Sequence, residues 1–355
     1  MTKNEGSCRG WLAPILPDPA GHLRRSYERR RVLVVGADGF LGVNCVLGLC
    51  AVGAYVSVLT RKPASRTERL VSHVYHGDLR DSVAVQEAVR GQEIVFDLAG
   101  GYGAVQSNCD PQRNLLEESQ AQLVLLQTCA EMQPSPIVLF CSSRLVYGRP
   151  QTLPVREDHP LAPESIYAVH KISAENYLRV FRRTAGLRSV VVRLTNPYGP
   201  YQAHESKSYG ILNHFVRTAA RGGEIRVFGD GSQHRDYLYV DDAVRAFLLL
   251  AASERCHLQL FNLGGSESVS VRQAAEQVAR LAGTRVKYVP WPDDFASVET
   301  GDYRSDSTKL KDFTGFEPQV PLAIGLQRTL EFYRATMPLE ETLPTNRLVA
   351  NHKGI

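Results

Sequence analysis

A chain of 355 residues, 43% hydrophobic and 22% charged, holds enough apolar material for a large core under an ordinary soluble surface. Its formal net charge of +4, with no basic block interleaved with aromatics, argues against nucleic acid and for a small anionic partner. No apolar stretch reaches the roughly 18 residues of a membrane helix, so no membrane contact is expected. The seven cysteines lack a C-x-x-C pair and read as reduced thiols in a cytoplasmic protein with no metal site.

Residues 1–30 differ from the rest, with proline-rich WLAPILPDPAG followed by basic HLRRSYERRR. The charges follow the apolar run, the wrong order for a signal peptide, so a flexible or partner-docking arm is expected, with packing onto the domain or a subunit neighbour as the alternative. The run RVLVVGADGFLG at 31–42 then reads as a strand, a tight turn and the start of a helix over 40–52. Gly36 can take the angles of the turn, Gly39 lets a pyrophosphate approach the main chain, and Gly42 lets the helix lie against the sheet. Asp38, Phe40 and Leu41 complete this expected cofactor turn, whose helix aims its free N–H groups at phosphates.

A second strand is expected over 54–60, followed by Arg61 and Lys62. An NAD site usually carries an acid there for the ribose 2′-hydroxyl, whereas arginine pairs with a 2′-phosphate. No acid stands there in the sequence, so NADP(H) is favoured over NAD(H). Further strands are expected over 74–78, where Asp78 and Leu79 could face the adenine, over 94–98 and over 137–141, with helices over 82–89 and 115–131. Leu98, Ala99 and Gly100 end the fourth strand with small residues that admit a cofactor. This alternation predicts an α/β fold, a doubly wound parallel sheet of Rossmann type with a smaller C-terminal α/β domain.

The fifth strand runs into Ser142-Ser143-Arg144, and Tyr167 and Lys171 stand four apart on an expected helix. An ammonium one turn from a phenol favours the phenolate, which otherwise forms only near pH 10. A serine hydroxyl could meanwhile hydrogen-bond a substrate oxygen at a redox centre.

From about Arg31 to Tyr333 the chain resembles the extended short-chain dehydrogenase/reductase family of nucleotide-sugar epimerases, dehydratases and reductases. The residues that carry the likeness are GADGFLG, GDLRD, DLAG, SSRLVYG, YAVHK, RLTNPYGP, GDGSQHRDYLYVDD, FNLGG and RSDSTKL. The resemblance implies Tyr167 as general acid/base, Lys171 on the nicotinamide ribose and Ser143 on the sugar oxygen. It implies Asn196, Gln233, Arg235 and Arg304 as nucleotide-sugar ligands, with Arg144 beside them, and a homodimer paired through a four-helix interface. The implied division is a cofactor domain over 31–195 with return segments around 233–263, a substrate domain over 196–232 and 264–336, and a flexible tail over 337–355.

Three departures stand out. Arg144-Leu145 replaces the Asp-Glu pair of the dehydratases and cannot supply two carboxylates. Asp97 replaces a histidine, and Glu117-Glu118-Ser119 lacks the expected asparagine. The last two lie near the expected cofactor and could alter its affinity or orientation, whereas the absent Asp-Glu pair together with Arg61 makes an NADPH-dependent 4-keto-sugar reductase the leading expectation. A nucleotide-sugar 4-epimerase with tightly bound cofactor is the first alternative, and a non-catalytic binding protein of the same fold the second.

Overall fold

The computed structural model describes residues 14, 16–18, 20–62, 65–100, 103–202 and 210–336. The expectations for residues 1–13 and for the tail lie outside these. Residues 20–30 are not a loose arm: α1 (His22–Tyr27) packs on the domain, with Leu23 and Tyr27 buried and the Tyr27 hydroxyl donating to Leu248 O at 2.8 Å. The arginines that make this stretch look like a charged tail stay outside while its two apolar residues, one helical turn apart, anchor it.

The chain continues through β1 (Arg31–Val35), α2 (Phe40–Ala51), β2 (Tyr55–Thr60), β3 (His73–His76), α3 (Ser82–Val89) and β4 (Ile94–Asp97). Two short helices follow, α4 (Ala104–Cys109) and α5 (Pro111–Asn114), then a π-helical turn over Leu115–Gln120 and α6 (Ala121–Glu131). The single helix expected over 115–131 is therefore wide in its first turns, a form found often at functional sites. Next come β5 (Ile137–Ser143), a 3-10 turn over Arg144–Tyr147, α7 (Ile166–Ala185), β6 (Ser189–Leu194), β7 (Asn196–Tyr198), α8 (Ile211–Ala220), β8 (Ile225–Phe228), β9 (His234–Tyr239) and α9 (Val240–Ala252). The last elements are β10 (Gln259–Leu263), β11 (Ser268–Ser270), α10 (Val271–Ala282), β12 (Val286–Val289), α11 (Asp293–Ala296), α12 (Thr308–Thr314) and α13 (Leu322–Thr336).

Seven strands form one sheet in the order β10-β6-β5-β4-β1-β2-β3, all parallel. Both faces are covered, which is why β5 and β6 are buried at every position and carry the consecutive apolar stretches IVLFC and VVV rather than alternating ones. One apolar core lies under α1, α2 and α9, and another under α3, α6 and α7. A third joins α8, α10 and α13 beside the small β12-β8 sheet. Strand order reverses at β1 and β4, and in such sheets ligands bind outside the carboxyl ends of the strands at that point.

Candidate active site

The glycine turn is packed from behind and open in front. Gly36 has φ 79°, and a Cβ there would lie 2.7 Å from Leu98 O, so the end of β4 closes against it. A Cβ on Gly42 would meet Gly36 O at 2.1 Å, whereas one on Gly39 would meet only that oxygen, at 3.2 Å. No side chain caps Gly39 at the start of α2, so the first-turn amides are free for a ligand. An uncapped helix end in a glycine cradle fits a pyrophosphate, and Gly36, Gly39, Phe40, Leu41, Gly42, Leu98, Ala99 and Gly100 would hold a dinucleotide there.

The end of β2 differs from the sequence expectation. An acid does stand there, delivered by the glycine turn: Asp38 accepts from the hydroxyls of Thr60, at 2.5 Å, and Ser65, at 2.9 Å, and from the Arg66 amide at 2.7 Å. Arg61 is exposed but already lies 3.8 Å from Asp78 and 3.9 Å from Glu117. Asp78 is gripped by Arg80 at two 2.9 Å contacts, which hold its carboxyl down to about 2. Leu79 packs into the core under α3, and Lys62 is exposed.

Ser143 ends β5 and caps the following 3-10 turn by accepting from the Leu145 amide at 3.2 Å. α7 is started by Ser165, which caps the Ala168 amide, and two residues of α4 fix its first turn. Asn108 Oδ1 accepts from the Ile166 amide at 2.9 Å and Ser107 Oγ from the Tyr167 amide at 3.0 Å. These two positioning residues have no local signature, because they act from about 60 residues away.

The Ser143 side chain lies near enough to the Tyr167 hydroxyl to favour its ionised form, and the Lys171 ammonium lies 5.5 Å from the Tyr167 ring centroid. Serine, tyrosine and lysine thus meet at the carboxyl end of β5, as their spacing predicts. The expected net depression of the phenol is not found. Burial raises the Tyr167 pKa and outweighs the opposing pull of Lys171 and Ser143. Lys171 is itself buried and donates to Cys141 O at 3.1 Å and Ala99 O at 3.4 Å. Burial pulls its pKa down, but Tyr167 and Glu118 push harder and it rises.

The two departures near the cofactor turn out to be one cluster. The π turn brings Glu118 Oε2 to 3.9 Å from Lys171 Nζ, and Gln122 on α6 donates to the buried Asp97. Burial raises Asp97 to about 7, against the attraction of Lys171.

On the substrate side Arg235 is buried and occupied. Its Nη2 pairs with Glu299, and Nη1 donates to Gly301 O and to His234 O, the latter at 2.8 Å. Arg144 donates to Thr300 Oγ1 at 3.0 Å and Asn196 Oδ1 at 3.3 Å, and stacks 5.0 Å from the Tyr303 ring centroid. Asn196 also approaches Asp236 O at 3.5 Å. Among the described residues no side-chain contact ties Gln233 or Arg304 to this cluster: Arg304 is exposed, and only its carbonyl is engaged, by the Val155 amide at 2.7 Å.

Residues 32–264 match the model of the NAD dependent epimerase/dehydratase family. A UDP-glucose 4-epimerase of Mycolicibacterium smegmatis is 31% identical over 319 residues, covering 86% of this chain and 98% of that one. A dTDP-4-dehydro-6-deoxy-D-allose reductase of Streptomyces bikiniensis is 28% identical over 86% of this chain and 96% of its own. The crystal structure of a UDP-glucose 4-epimerase from Thermotoga maritima with UDP-glucose superposes with a TM-score of 0.79 at 31% identity, covering 86% of this chain and 99% of that one. No helix among the described residues is long and apolar enough to cross a membrane. The chain belongs to the NAD dependent epimerase/dehydratase family and is an enzyme of it.

Proposed function

We propose that the protein is a nucleotide-sugar 4-epimerase working with a retained NAD. The observation that carries this reading is Asp38, which puts a carboxylate at the end of β2 where a 2′-phosphate would be repelled, while Arg61 is already shared between Asp78 and Glu117. A dinucleotide, when bound, supplies reversible hydride acceptance. Tyr167 takes the proton from the sugar 4-hydroxyl and later returns it, Ser143 orients that oxygen, and Lys171 keeps the tyrosinate accessible and holds the ribose. On this reading Asn196, beside Arg144, faces the nucleotide sugar, whereas Arg235 is held by Glu299 and Gln233 and Arg304 stand apart from that cluster. Arg144 removes the carboxylates that dehydration needs, and the Mycolicibacterium smegmatis relative supports the choice of epimerisation.

A second reading, an NADPH-dependent 4-keto-sugar reductase, is favoured by the exposed Arg61 and Lys62 and by the Streptomyces bikiniensis relative. Denaturing the purified protein and identifying the released dinucleotide by mass separates the two, with NAD expected. A UDP-linked sugar and its 4-epimer should then interconvert without added cofactor, tested with UDP-glucose and UDP-galactose and with their uronic acid counterparts. Release of NADP, or net NADPH oxidation on a 4-keto sugar, would favour the reductase instead.

The same reading divides the chain into a cofactor half, 31–195 with 233–263, and a substrate half, 196–232 with 264–336. It also places the enzyme in the cytoplasm, where its six described free cysteines would stay reduced. Leu115, Leu116, Leu123, Val169 and Val180 are exposed on the π turn, α6 and α7, and support a homodimer through that face. Light scattering should give twice the chain mass, and Leu123→Glu the single mass.

A further inference from the structure

The residue that follows Ser143 carries a charge that has no direct ion-pair partner among the described residues. Arg144 is only 8% exposed, yet its hydrogen-bond acceptors are neutral, Thr300 Oγ1 and Asn196 Oδ1. Neither neighbouring carboxylate makes a direct ion pair with it, although both attract it. Glu299 pairs with Arg235, and Asp236 receives the Thr195 hydroxyl and the Ser305 amide, the latter at 2.9 Å. Burial, with Arg235 adding like charge, lowers the Arg144 pKa to about 10 against the attraction of Tyr303, Asp236 and Glu299, so it is still a cation at neutral pH. A guanidinium has five N–H donors, and two oxygens do not use them up. Enclosing such a group without a counter-ion is costly unless a ligand supplies the anion.

Resting on the nucleotide-sugar reading above, we propose that Arg144 receives a carboxylate borne by the sugar ring, so that the substrate is a nucleotide-linked uronic acid rather than a neutral or 6-deoxy hexose. Two features place the anion on the sugar rather than on the diphosphate. The Arg144 backbone adjoins Ser143, whose side chain influences the Tyr167 hydroxyl, so the guanidinium is rooted beside the reacting end of the site. Arg235 has its own ion-pair partner, whereas among the described residues Arg144 has none, so one carboxylate can still be received there. The planar fork suits the two oxygens of that group, whereas a sugar hydroxyl would leave the charge standing.

The test is calorimetric binding of UDP, UDP-glucose and UDP-glucuronate to the full-length protein with its own dinucleotide, and to Arg144→Gln and Arg144→Lys. The wild type should bind UDP-glucuronate at least about tenfold more tightly than UDP-glucose. Arg144→Gln should erase that preference while leaving the affinity for UDP within about twofold, which also reports that the variant is folded. Arg144→Lys should restore part of the preference. A wild type that binds UDP and UDP-glucose but does not prefer UDP-glucuronate overturns the proposal, and so does a variant that loses all three ligands equally while unfolding at the parent's temperature, because the anion is then the diphosphate. A wild type that binds none of the three removes the nucleotide-sugar reading itself.

Discussion

Two buried cations stand on either side of Ser143 in this site, and the protein treats them oppositely. Lys171 is 4% exposed, with Glu118 at 3.9 Å and the buried Asp97 close enough to affect it, and its pKa rises. Arg144 is 8% exposed among neutral acceptors, and its pKa falls to about 10. The first charge is balanced by the chain itself and is present whatever is bound. The second waits for its partner. A balanced charge serves to tune a neighbour, here the Tyr167 phenol, whereas an unbalanced one serves to select a ligand.

The largest effect should come from the group that the balanced cation tunes. Tyr167→Phe removes the proton carrier and nothing else, so turnover should fall about a thousandfold or more while calorimetric affinity for the nucleotide sugar stays near that of the parent. Unchanged turnover would end the proposed mechanism. The comparison itself is broken or sharpened by a matched pair of variants. Lys171→Met strands Glu118 and Asp97 without their cation and should lower stability in urea by about 3 kcal/mol. Arg144→Met removes an unpaired buried charge and should change the ligand-free protein by less than about 1 kcal/mol in either direction. Equal losses would mean that both charges are compensated internally.

Asp97 gives a pH-dependent version of the same contrast. Its carboxyl titrates near 3.8 when unfolded and near 7 in the fold, where burial disfavours the ionised form. Stability from this group is fully present below about pH 4 and is lost as pH rises through about 7. Asp97→Asn should therefore be more stable than the parent at pH 8, by about 2 kcal/mol, with no advantage at pH 4. Urea midpoints at the two pH values check this, and a constant difference would show that Asp97 does not titrate in that window.

The parts of this site made by neighbours in sequence were legible, and the parts made by distant residues were not. The glycine turn, the serine at the end of β5 and the Tyr167–Lys171 pair are local patterns, each set by the pitch of one element. The role of Asp38 was hidden because the acid for β2 arrives from the preceding turn, 22 residues before Thr60. Arg235 reads as a free phosphate ligand until Glu299, 64 residues on, is seen beside it. The basic run before β1 concealed α1, since composition weighed the arginines and not the one-turn spacing of Leu23 and Tyr27. Asp97 and Glu118 both stand out in the sequence as departures, but only the π turn and Gln122 reveal that they surround one ammonium.

That cluster makes the smallest and most specific prediction. Glu118 acts on Tyr167 as well as on Lys171: its negative charge pushes the phenol pKa up, working against the ammonium beside it. Glu118→Gln keeps the size and the hydrogen-bonding capacity and removes the charge. Lys171 stays protonated, because burial is still opposed by Tyr167 and Asp97. The tyrosinate then forms at lower pH, so the acidic limb of the kcat/KM profile should move toward lower pH while the affinity for UDP is unchanged. A limb that moves upward would mean that Glu118 serves the site by holding Lys171 in place, and that its charge on the phenol is the lesser effect.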